Sequence, residues 1–167
     1  MRTYRLIAQG ALSLVLLAGL PTARAGANDD MLTLVANLQA AVNRGDVAAA
    51  MAVYGDDIRL QGAQQCTPAS PCVGREQVRS RFIEPITAQK LQMTTLAVQG
   101  NSETVLVRDE LRSDLFRERG VDRLIIWVEF KLREGKIVSQ AIRYDLSDPI
   151  SAAYFAKWVP AAPVAAR

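Results

Sequence analysis

The sequence contains no histidine and only two cysteines. Without histidine the chain cannot form a serine–histidine or cysteine–histidine nucleophile pair, and it has no imidazole to bind a metal ion. It also lacks the P-loop that binds nucleotide phosphates and the glycine-rich fingerprint that binds dinucleotides. We therefore expect neither a metal nor a cofactor. These absences exclude several enzyme classes, but they do not specify a reaction.

The sequence also has no apolar run long enough for a comfortable membrane span. Its longest run, residues 12–20, follows the basic residues Arg2 and Arg5, and residues 23–25 have the small-x-small form that signal peptidase accepts. We predict that residues 1–25 are a secretory signal peptide cleaved after Ala25. No cysteine stands there to carry a lipid, so we expect no membrane anchor and a periplasmic or extracellular protein.

A strong charge of either sign is absent once this leader is removed. The sequence has 20 basic and 17 acidic residues, and the leader carries three arginines and no acid, so 17 of each remain. A neutral protein gives no electrostatic reason to expect nucleic acid or an anionic membrane as partner. Residues 26–158 have the composition of one globular domain, and the alanine- and proline-rich residues 159–167 predict a disordered tail.

The two cysteines, Cys66 and Cys72, enclose a short loop. An exported protein meets an oxidising compartment, so we predict a disulfide, which stabilises such a loop by about 2 kcal/mol in the chain-entropy model. A redox or metal-binding pair is the weaker alternative. The spacing is not that of a C-x-x-C motif, and no histidine is available to complete a zinc site.

Residues 121–146 predict a β-hairpin with one apolar face. Two period-two runs flank a turn at residues 133–136, where Gly135 can adopt the positive φ of a tight turn. In the first run the apolar face comprises Leu124, Ile126, Val128, Phe130 and Leu132. In the second run the shared face comprises Val138, Gln140, Ile142 and Tyr144. Such a hairpin must pack against the rest of the chain.

The preceding residues predict three helices and further strands. We expect a first helix that ends at Gly45, a second over residues 47–54, a turn at 55–57, a short strand at 58–61, and a third helix from Gly74 that stops before Pro85. Strands are predicted at residues 91–99 and 104–112. The fold class is α+β, with the three helices packed on an antiparallel sheet.

A short C-terminal helix is predicted after Ser147 or Asp148, either of which can act as its N-cap, with Pro149 in the first position. One side of this helix carries Ile150, Tyr154, Phe155 and Trp158. Such a stripe is most simply part of the core or a clamp on the sheet edge. The alternatives are a lid over a pocket and half of a dimer contact.

Several short strings, in their order and spacing, resemble the nuclear transport factor 2-like superfamily, in its SnoaL-like branch. They are NRGD at residues 43–46, YGDD at 54–57, GREQVR at 74–79 and EGKIV at 134–138. The resemblance covers about residues 31–146. It implies a cone-shaped fold in which a strongly curved sheet wraps around the helices and leaves a pocket at its open end. The superfamily includes ketosteroid isomerases, polyketide cyclases, limonene epoxide hydrolases and non-catalytic modules, so the fold does not select a function.

Apolar residues or glycine occupy the positions where the resemblance would place the catalytic groups of these enzymes. Leu38, Gly62 and Val128 fall at the oxyanion-hole tyrosine, the general-base aspartate and the second oxyanion acid of ketosteroid isomerases. Ile142 falls at the acid of polyketide cyclases and at one aspartate of epoxide hydrolases. These side chains can neither take a proton nor stabilise an oxyanion. The resemblance thus implies an apolar pocket walled by Leu38, Val128, Phe130 and Ile142.

Asp109 is the first candidate for an acid inside this pocket. The sequence Arg108-Asp109-Glu110 partly matches the Arg-x-Asp of epoxide hydrolases, and the alternation of apolar residues along this strand turns Asp109 inward. The opposite phase, with Arg108 and Glu110 inward, is the second choice. Buried Asp109 could be an acid or base with a raised pKa, or it could pair with an arginine such as Arg143 or Arg59.

Three further polar residues, Tyr54, Gln140 and Tyr144, are candidate hydrogen-bonding points in the pocket, although each could equally be an ordinary core residue. We therefore predict an exported SnoaL-like domain that binds a small, largely apolar molecule or acts as an association module, without the known catalysis of the family. The alternative is an isomerase, dehydratase or hydrolase that uses Asp109, with Tyr54 or Tyr144.

A third interpretation is a structural partner protein, with Trp127 on the outer sheet face and the C-terminal helix as its contacts; a homodimer through that face is the expected assembly. The interior distinguishes the three interpretations. A cavity without an acid favours binding, an Asp109 that is free of arginine and open to the pocket favours catalysis, and a filled pocket favours the partner role.

Overall fold

The computed structural model of the protein describes residues 23–63, 65–101 and 103–158. The helices are α1 (Ala23–Asn43), α2 (Val47–Ala52), α3 (Arg75–Val78), α4 (Glu84–Ala88), α5 (Asp114–Glu118) and α6 (Pro149–Trp158). The strands are β1 (Tyr54–Gln61), β2 (Cys72–Val73), β3 (Gln92–Gly100), β4 (Thr104–Arg112), β5 (Leu124–Arg133) and β6 (Lys136–Tyr144). The predicted tail and most of the predicted leader lie outside the described residues. The predicted cleavage point of the leader, after Ala25, falls in the first turn of α1.

The six strands form one sheet in the order β2-β1-β6-β5-β4-β3, which confirms the predicted α+β class. All neighbouring strands are antiparallel except β1 and β6, which run parallel. Irregularities in the pairing of β1 with β6, β3 with β4, and β5 with β6 bend the strands, as β-bulges do. The sheet therefore curves around the helices without closing into a barrel.

The core lies between α1 and the concave face of the sheet. On α1 the buried residues recur at helical spacing, at Met31, Val35, Leu38 and Val42. The turn of the β5–β6 hairpin is as predicted, since Glu134 and Gly135 have φ values of 52° and 69°, both positive as a type I′ turn requires. The apolar face of β5 is buried from Leu124 to Phe130.

The prediction was wrong about residues 54–57 and about Val138. Tyr54 begins β1, so the predicted turn at residues 55–57 is part of that strand, in the irregular stretch between its Tyr54–Ile137 and Arg59–Ser139 pairs with β6. The hairpin pairing shifts between Lys131 and Leu132, and Ile137 is fully buried in place of the half-buried Val138. An extra residue in a strand reverses the alternation of its side chains, which a regular period cannot show.

The third helical segment was predicted too short. It continues from α3 through a π-helical turn, Arg79–Ile83, into α4, which ends at Ala88 beyond Pro85. Proline has no N–H to donate to the carbonyl four residues earlier, as a regular α-helix requires. The wider π turn before Pro85 accommodates this missing hydrogen bond. The strand β2 and the helix α5 were not predicted, because each is too short to show a period.

The C-terminal helix is capped by Asp148, one of the two predicted caps. Its carboxylate accepts from the backbone N–H of Ser151 at 2.9 Å. Tyr154 is buried as predicted, but Ile150, Phe155 and Trp158 are exposed. Ser151 takes the second buried position because its hydroxyl accepts from the backbone N–H of Ile125 in β5 at 2.7 Å. A hydrogen bond to the sheet, rather than an apolar stripe, orients this helix.

Candidate functional site

A cavity of about 130 Å³ lies inside the curved sheet, between its concave face and the helical segments. All eight residues predicted for the pocket line it: Leu38, Tyr54, Asp109, Val128, Phe130, Gln140, Ile142 and Tyr144. Sequence reasoning missed other lining residues, among them Gln39, Phe82, Phe116, Ile126 and Tyr154. Several of these come from helical segments whose approach to the sheet cannot be read from a local pattern.

Strand register places the lining residues of β4, β5 and β6 in rows across the concave face. Asp109, Ile126 and Tyr144 form the first row. The second row contains Val107, Val128 and Ile142, and the third contains Val105, Phe130 and Gln140. The middle row is therefore wholly apolar, and polar groups lie in the rows on either side of it.

Asp109 is buried, with 2% of its surface exposed, and its hydrogen bonds come from uncharged side chains. Gln39 Nε2 in α1 lies 2.8 Å from Oδ1, and Thr95 Oγ1 in β3 lies 3.0 Å from the same oxygen. Among the described residues none bonds Oδ2. Burial raises the pKa of Asp109 above its usual range, although the bonds from Thr95 and Gln39 act in the opposite direction.

The alternative in which Asp109 pairs with an arginine is not realised among the described residues. Arg143 is exposed and its Nη2 lies 3.8 Å from Glu129, while Arg59 is also exposed. Arg108, the neighbour of Asp109, points outward. It binds Asp145 at 2.7 Å on the convex face, where its guanidinium lies 5.8 Å from the ring centre of Trp127. Side chains alternate along a strand, so Asp109 takes the inward phase.

Gln140 in the third row of the cavity wall forms a hydrogen bond with Tyr54 of β1. The Tyr54 hydroxyl donates to Gln140 Oε1 at 2.7 Å, and both residues are buried. Burial raises the pKa of Tyr54 well above its ordinary value. Because the hydroxyl is neutral and its proton is already donated, Tyr54 is a poor acid or base. Gln140 still has its amide N–H groups, which can donate to a ligand.

Tyr144 is half-buried at the opposite end of the first row from Asp109. Burial raises the pKa of Tyr144 to about 12, so it is a neutral hydrogen-bonding group near pH 7. Its ring centre lies 6.0 Å from that of Tyr154 and 5.4 Å from that of Phe155, both in α6. The C-terminal helix thus contributes to the wall beside Tyr144.

The loop between Cys66 and Cys72 closes another part of the wall. The two sulfurs are bonded, as predicted. Gly62 at the start of this loop donates its N–H to the carbonyl of Cys66 at 2.7 Å, and Arg81 donates to the carbonyl of Gln65. Gly62, Gln65 and Arg81 all line the cavity. The disulfide therefore stabilises a loop that is part of the candidate site.

The described part of the chain contains neither a cluster of metal ligands nor a helix suited to a membrane. No three acidic or cysteine side chains there lie close enough together to hold a metal ion. In the same residues no helix combines the length and the hydropathy needed to cross a membrane. The cavity is accordingly the best-defined candidate site within these residues.

Comparison with known proteins supports the family suggested by the motifs. The family model described as a SnoaL-like domain matches residues 35–140. No curated protein matches the chain. Similar solved structures include an epoxide hydrolase/cyclase-like enzyme, SalBIII, which has a role in pyran ring formation in the polyether salinomycin. Its TM-score is 0.61 at 17% identity, over 72% of this chain and 95% of that one.

Two further similar structures are ligand binders. Rv0760c from Mycobacterium tuberculosis, solved with estradiol-17β-hemisuccinate, has a TM-score of 0.58 at 16% identity, over 71% of this chain and 95% of its own. A computationally designed binder of 17-OHP has a TM-score of 0.59 at 13% identity, over 71% of this chain and 92% of its own. Identities this low show a shared fold and nothing finer. Since the family model spans more than half of the sequence, the chain belongs to the SnoaL-like family of the nuclear transport factor 2-like superfamily.

Proposed function

We propose that the cavity binds a small, largely apolar molecule that carries an oxygen function, and that this oxygen meets Asp109. One observation carries the proposal: a buried carboxyl group lies in an otherwise mostly apolar wall, and one of its two oxygens is free of the described residues. Oδ2 is not among the fully buried unpaired polar atoms, so it is accessible from the cavity, and a ligand that pairs with it gains a hydrogen bond.

The apolar part of the wall supports the same proposal. Leu38, Val128, Phe130 and Ile142 remove water from the ligand and supply no charge, and the cavity is similar in size to one of about 150 Å³ that binds benzene. Two of the similar structures are described as bound to, or designed for, a small molecule, Rv0760c and the 17-OHP binder. The ligands of these two proteins are not transferred to this chain, whose ligand class is inferred from the cavity wall and Asp109.

A second candidate function is acid–base catalysis by Asp109. A specific observation favours it: the carboxyl group has no arginine partner among the described residues, and burial raises its pKa. A carboxyl group with a raised pKa holds its proton more tightly than an exposed one and can act as an acid or base toward a substrate. Gln39 and Thr95 would orient it. No other described acid lines the cavity, so this reaction would depend on one proton-transfer group.

Substitution of Asp109 separates binding from catalysis. The protein is incubated with a small-molecule extract and the retained compounds are identified by mass spectrometry, for the wild type, Asp109→Asn and Asp109→Leu. For simple binding we expect wild type and Asp109→Asn to retain the same compound, and Asp109→Leu to retain roughly tenfold less, since one hydrogen bond is lost. Conversion of a retained compound by the wild type, absent in Asp109→Asn, would establish the enzyme instead.

The adjacent acid supplies the matched control. Glu110 follows Asp109 on the same strand but faces outward, where it pairs with Arg112 at 2.8 Å. Glu110→Gln should therefore retain the wild-type compound in the wild-type amount. If neither the wild type nor this control retains any compound above a heat-denatured sample, the cavity is not a binding site and the proposal is wrong.

We also propose that the protein is exported and that its mature chain begins at residue 26. The basic start, the apolar run and the small residues Ala23 and Ala25 support this proposal. Expression of the full sequence in a Gram-negative host should give a periplasmic protein whose intact mass lacks residues 1–25. Ala25→Arg places a large charged residue at the cleavage point and should retain the full mass. A wild-type mass that includes the leader would contradict export by this route.

Homodimerisation through the convex face of the sheet is the assembly that we propose. Trp127 is half-buried on this face beneath the guanidinium of Arg108, and tryptophan and arginine are the residues most enriched at interface hot spots. Sedimentation velocity should show a dimer for the wild type and a monomer for Trp127→Ala. As a control, Trp158→Ala changes an exposed tryptophan on α6 and should leave the dimer intact. A monomeric wild type would exclude this assembly.

A further inference from the structure

Tyr154 in α6 brings to the cavity a polar group that lies beyond the region matched by the family model. Only 2% of its surface is exposed, and its ring lies against Phe116 with 5.6 Å between ring centres. It lines the cavity on one side and a surface groove formed with Arg119 on the other. Tyr154 is therefore the partition between the site and the outside.

The hydroxyl of Tyr154 has an unused proton. Arg119 Nη1 donates to the hydroxyl oxygen from the groove side, so the oxygen acts as acceptor there. Among the described residues no acceptor takes the hydroxyl hydrogen. A hydroxyl that accepts from a cation becomes a stronger donor through polarisation. Tyr154 can therefore donate to a ligand while the charge of Arg119 stays outside the cavity.

The position of Arg119 is fixed by aromatic rings rather than by an acid. Its guanidinium lies 5.6 Å from the ring centre of Tyr154 and 4.9 Å from that of Trp158. No described carboxylate forms an ion pair with it, so its charge is directed toward these rings and the Tyr154 hydroxyl. Trp158 thus contacts Arg119 from an exposed position, whereas Tyr154 on the same helix is buried.

Tyr154 lies at the opposite end of the cavity floor from Asp109. Tyr144, its neighbour, is two strands away from Asp109 in the row through Ile126, which corresponds to a separation of roughly 10 Å between α-carbons. The floor between the two ends is apolar. One ring of a ligand can cover Ile126 while its two ends approach Asp109 and Tyr154.

We propose that the site takes a ring-sized neutral molecule with oxygen functions at both ends, a hydroxyl group that meets Asp109 and a carbonyl oxygen that accepts from Tyr154. A hydroxyl suits Asp109 in either protonation state because it can donate and accept. A carbonyl suits Tyr154 because the hydroxyl hydrogen has no acceptor among the described residues, while Arg119 already donates to the oxygen. This inference rests on the proposed function, and it adds the chemistry and spacing of the two ends.

Three matched probes test the two ends separately in calorimetric titrations of the full protein. 4-Hydroxyacetophenone has both oxygen functions, 4-ethylphenol lacks the carbonyl, and acetophenone lacks the hydroxyl. We expect 4-hydroxyacetophenone to bind roughly threefold to tenfold more tightly than either of the others, since each of these lacks one hydrogen bond. Equal affinity for 4-hydroxyacetophenone and 4-ethylphenol would overturn the role of Tyr154.

Variants then assign the carbonyl end. Tyr154→Phe should abolish the preference for 4-hydroxyacetophenone over 4-ethylphenol and leave the affinity for 4-ethylphenol unchanged. Arg119→Met should reduce that preference, because the hydroxyl is no longer polarised. Arg117→Met is the control, since Arg117 is exposed and lines neither the cavity nor the groove; it should keep the preference. A preference that survives Tyr154→Phe in a protein with the wild-type melting temperature would contradict the inference.

Failure of the inference and failure of the proposed function give different results. If all three probes bind with equal affinity, the apolar pocket is real and the two-ended recognition is wrong. If none of the probes binds, both the two-ended ligand and the small-ligand pocket from which it follows are rejected.

Discussion

Gly62→Ala is expected to lower the free energy of unfolding by about 4 kcal/mol, because the added methyl group would overlap the backbone of β6. A β-carbon at this position would lie 1.9 Å from the carbonyl oxygen of Ile142 and 2.8 Å from its carbonyl carbon. Gly62 also has a φ of 93°, a conformation that residues with a side chain rarely adopt. Backbone atoms cannot move aside as a flexible side chain can.

Gly120→Ala separates overlap from backbone strain. Gly120 has a φ of 75°, but a β-carbon there would meet no atom within 4 Å. This variant should cost only the strain of the left-handed conformation, about 1 kcal/mol. Urea unfolding of both variants measures the difference. Equal losses would mean that the approach of Gly62 to β6 is looser than the structure shows.

The close contact at Gly62 also explains why this chain has no general base at that position. The resemblance to ketosteroid isomerases puts their catalytic aspartate at Gly62, and the contact with Ile142 leaves no room for any side chain there. Gly62→Asp should therefore unfold the protein rather than restore a base. Close approach of the loop that contains Cys66 and Cys72 is thus incompatible with that catalytic position, and any proton transfer in this cavity must use a group elsewhere, such as Asp109.

Local patterns in the sequence were sufficient to predict the turn of the hairpin, the buried face of α1 and the inward phase of Asp109, but not the start of α1, which lies at Ala23 rather than at a cap formed by Asp29 or Asp30. Each depends on a regular period maintained over many residues: alternation through β4 and β5, and helical spacing through α1. The errors fall where the period is interrupted. Val138 lies at the shift in β6, and Pro85 follows a π-helical turn. The shift in β6 belongs to its pairing with β5, and the π-helical turn accommodates Pro85, which has no N–H to donate.

The partners of the site residues were harder to predict than the residues themselves. Thr95 is the direct cross-strand partner of Asp109. The pairing of β3 with β4 shifts between Thr95 and Ala97, so this partner cannot be found by counting back from the turn. Gln39 comes from α1, which is distant in sequence, and no local signal connects it with Asp109. The alternative of an arginine partner followed from charge, and no described arginine pairs with Asp109. Composition suggests that a buried acid needs a partner, but only the fold determines which one it receives.

Asp148→Asn is expected to lower the free energy of unfolding by about 2 kcal/mol near neutral pH, because it removes a charge that attaches α6 to the sheet. The Asp148 carboxylate accepts from Arg123 Nη2 at 2.8 Å and from the Ser151 hydroxyl at 2.8 Å. Burial alone raises the pKa of Asp148, but these bonds outweigh it and lower the pKa to about 2. The ionised carboxylate therefore stabilises the folded state.

The pH dependence follows from the direction of this shift. The pKa of Asp148 is lower in the folded protein than its ordinary value of 3.8, so its contribution is complete above about pH 4 and is lost as the pH falls through about 2. The stability difference between wild type and Asp148→Asn should thus be largest near pH 7 and should shrink toward pH 2. Urea unfolding at pH 7, 4 and 2 measures this stability difference. Asp122→Asn is the control, since Asp122 is exposed and directly precedes Arg123 in the sequence.

Asp148→Asn should loosen α6, which forms part of the cavity wall, under conditions in which the rest of the domain stays folded. Ser151 connects Asp148 to the backbone of Ile125, and Tyr154 lies one turn further along the same helix. Weakening this attachment should increase amide hydrogen exchange in α6 at pH 7 while exchange in β4 and β5 stays slow. If exchange increases equally in α6 and in the central strands, α6 opens only with the whole domain. Asp148 then stabilises the fold without controlling the wall that Tyr154 forms.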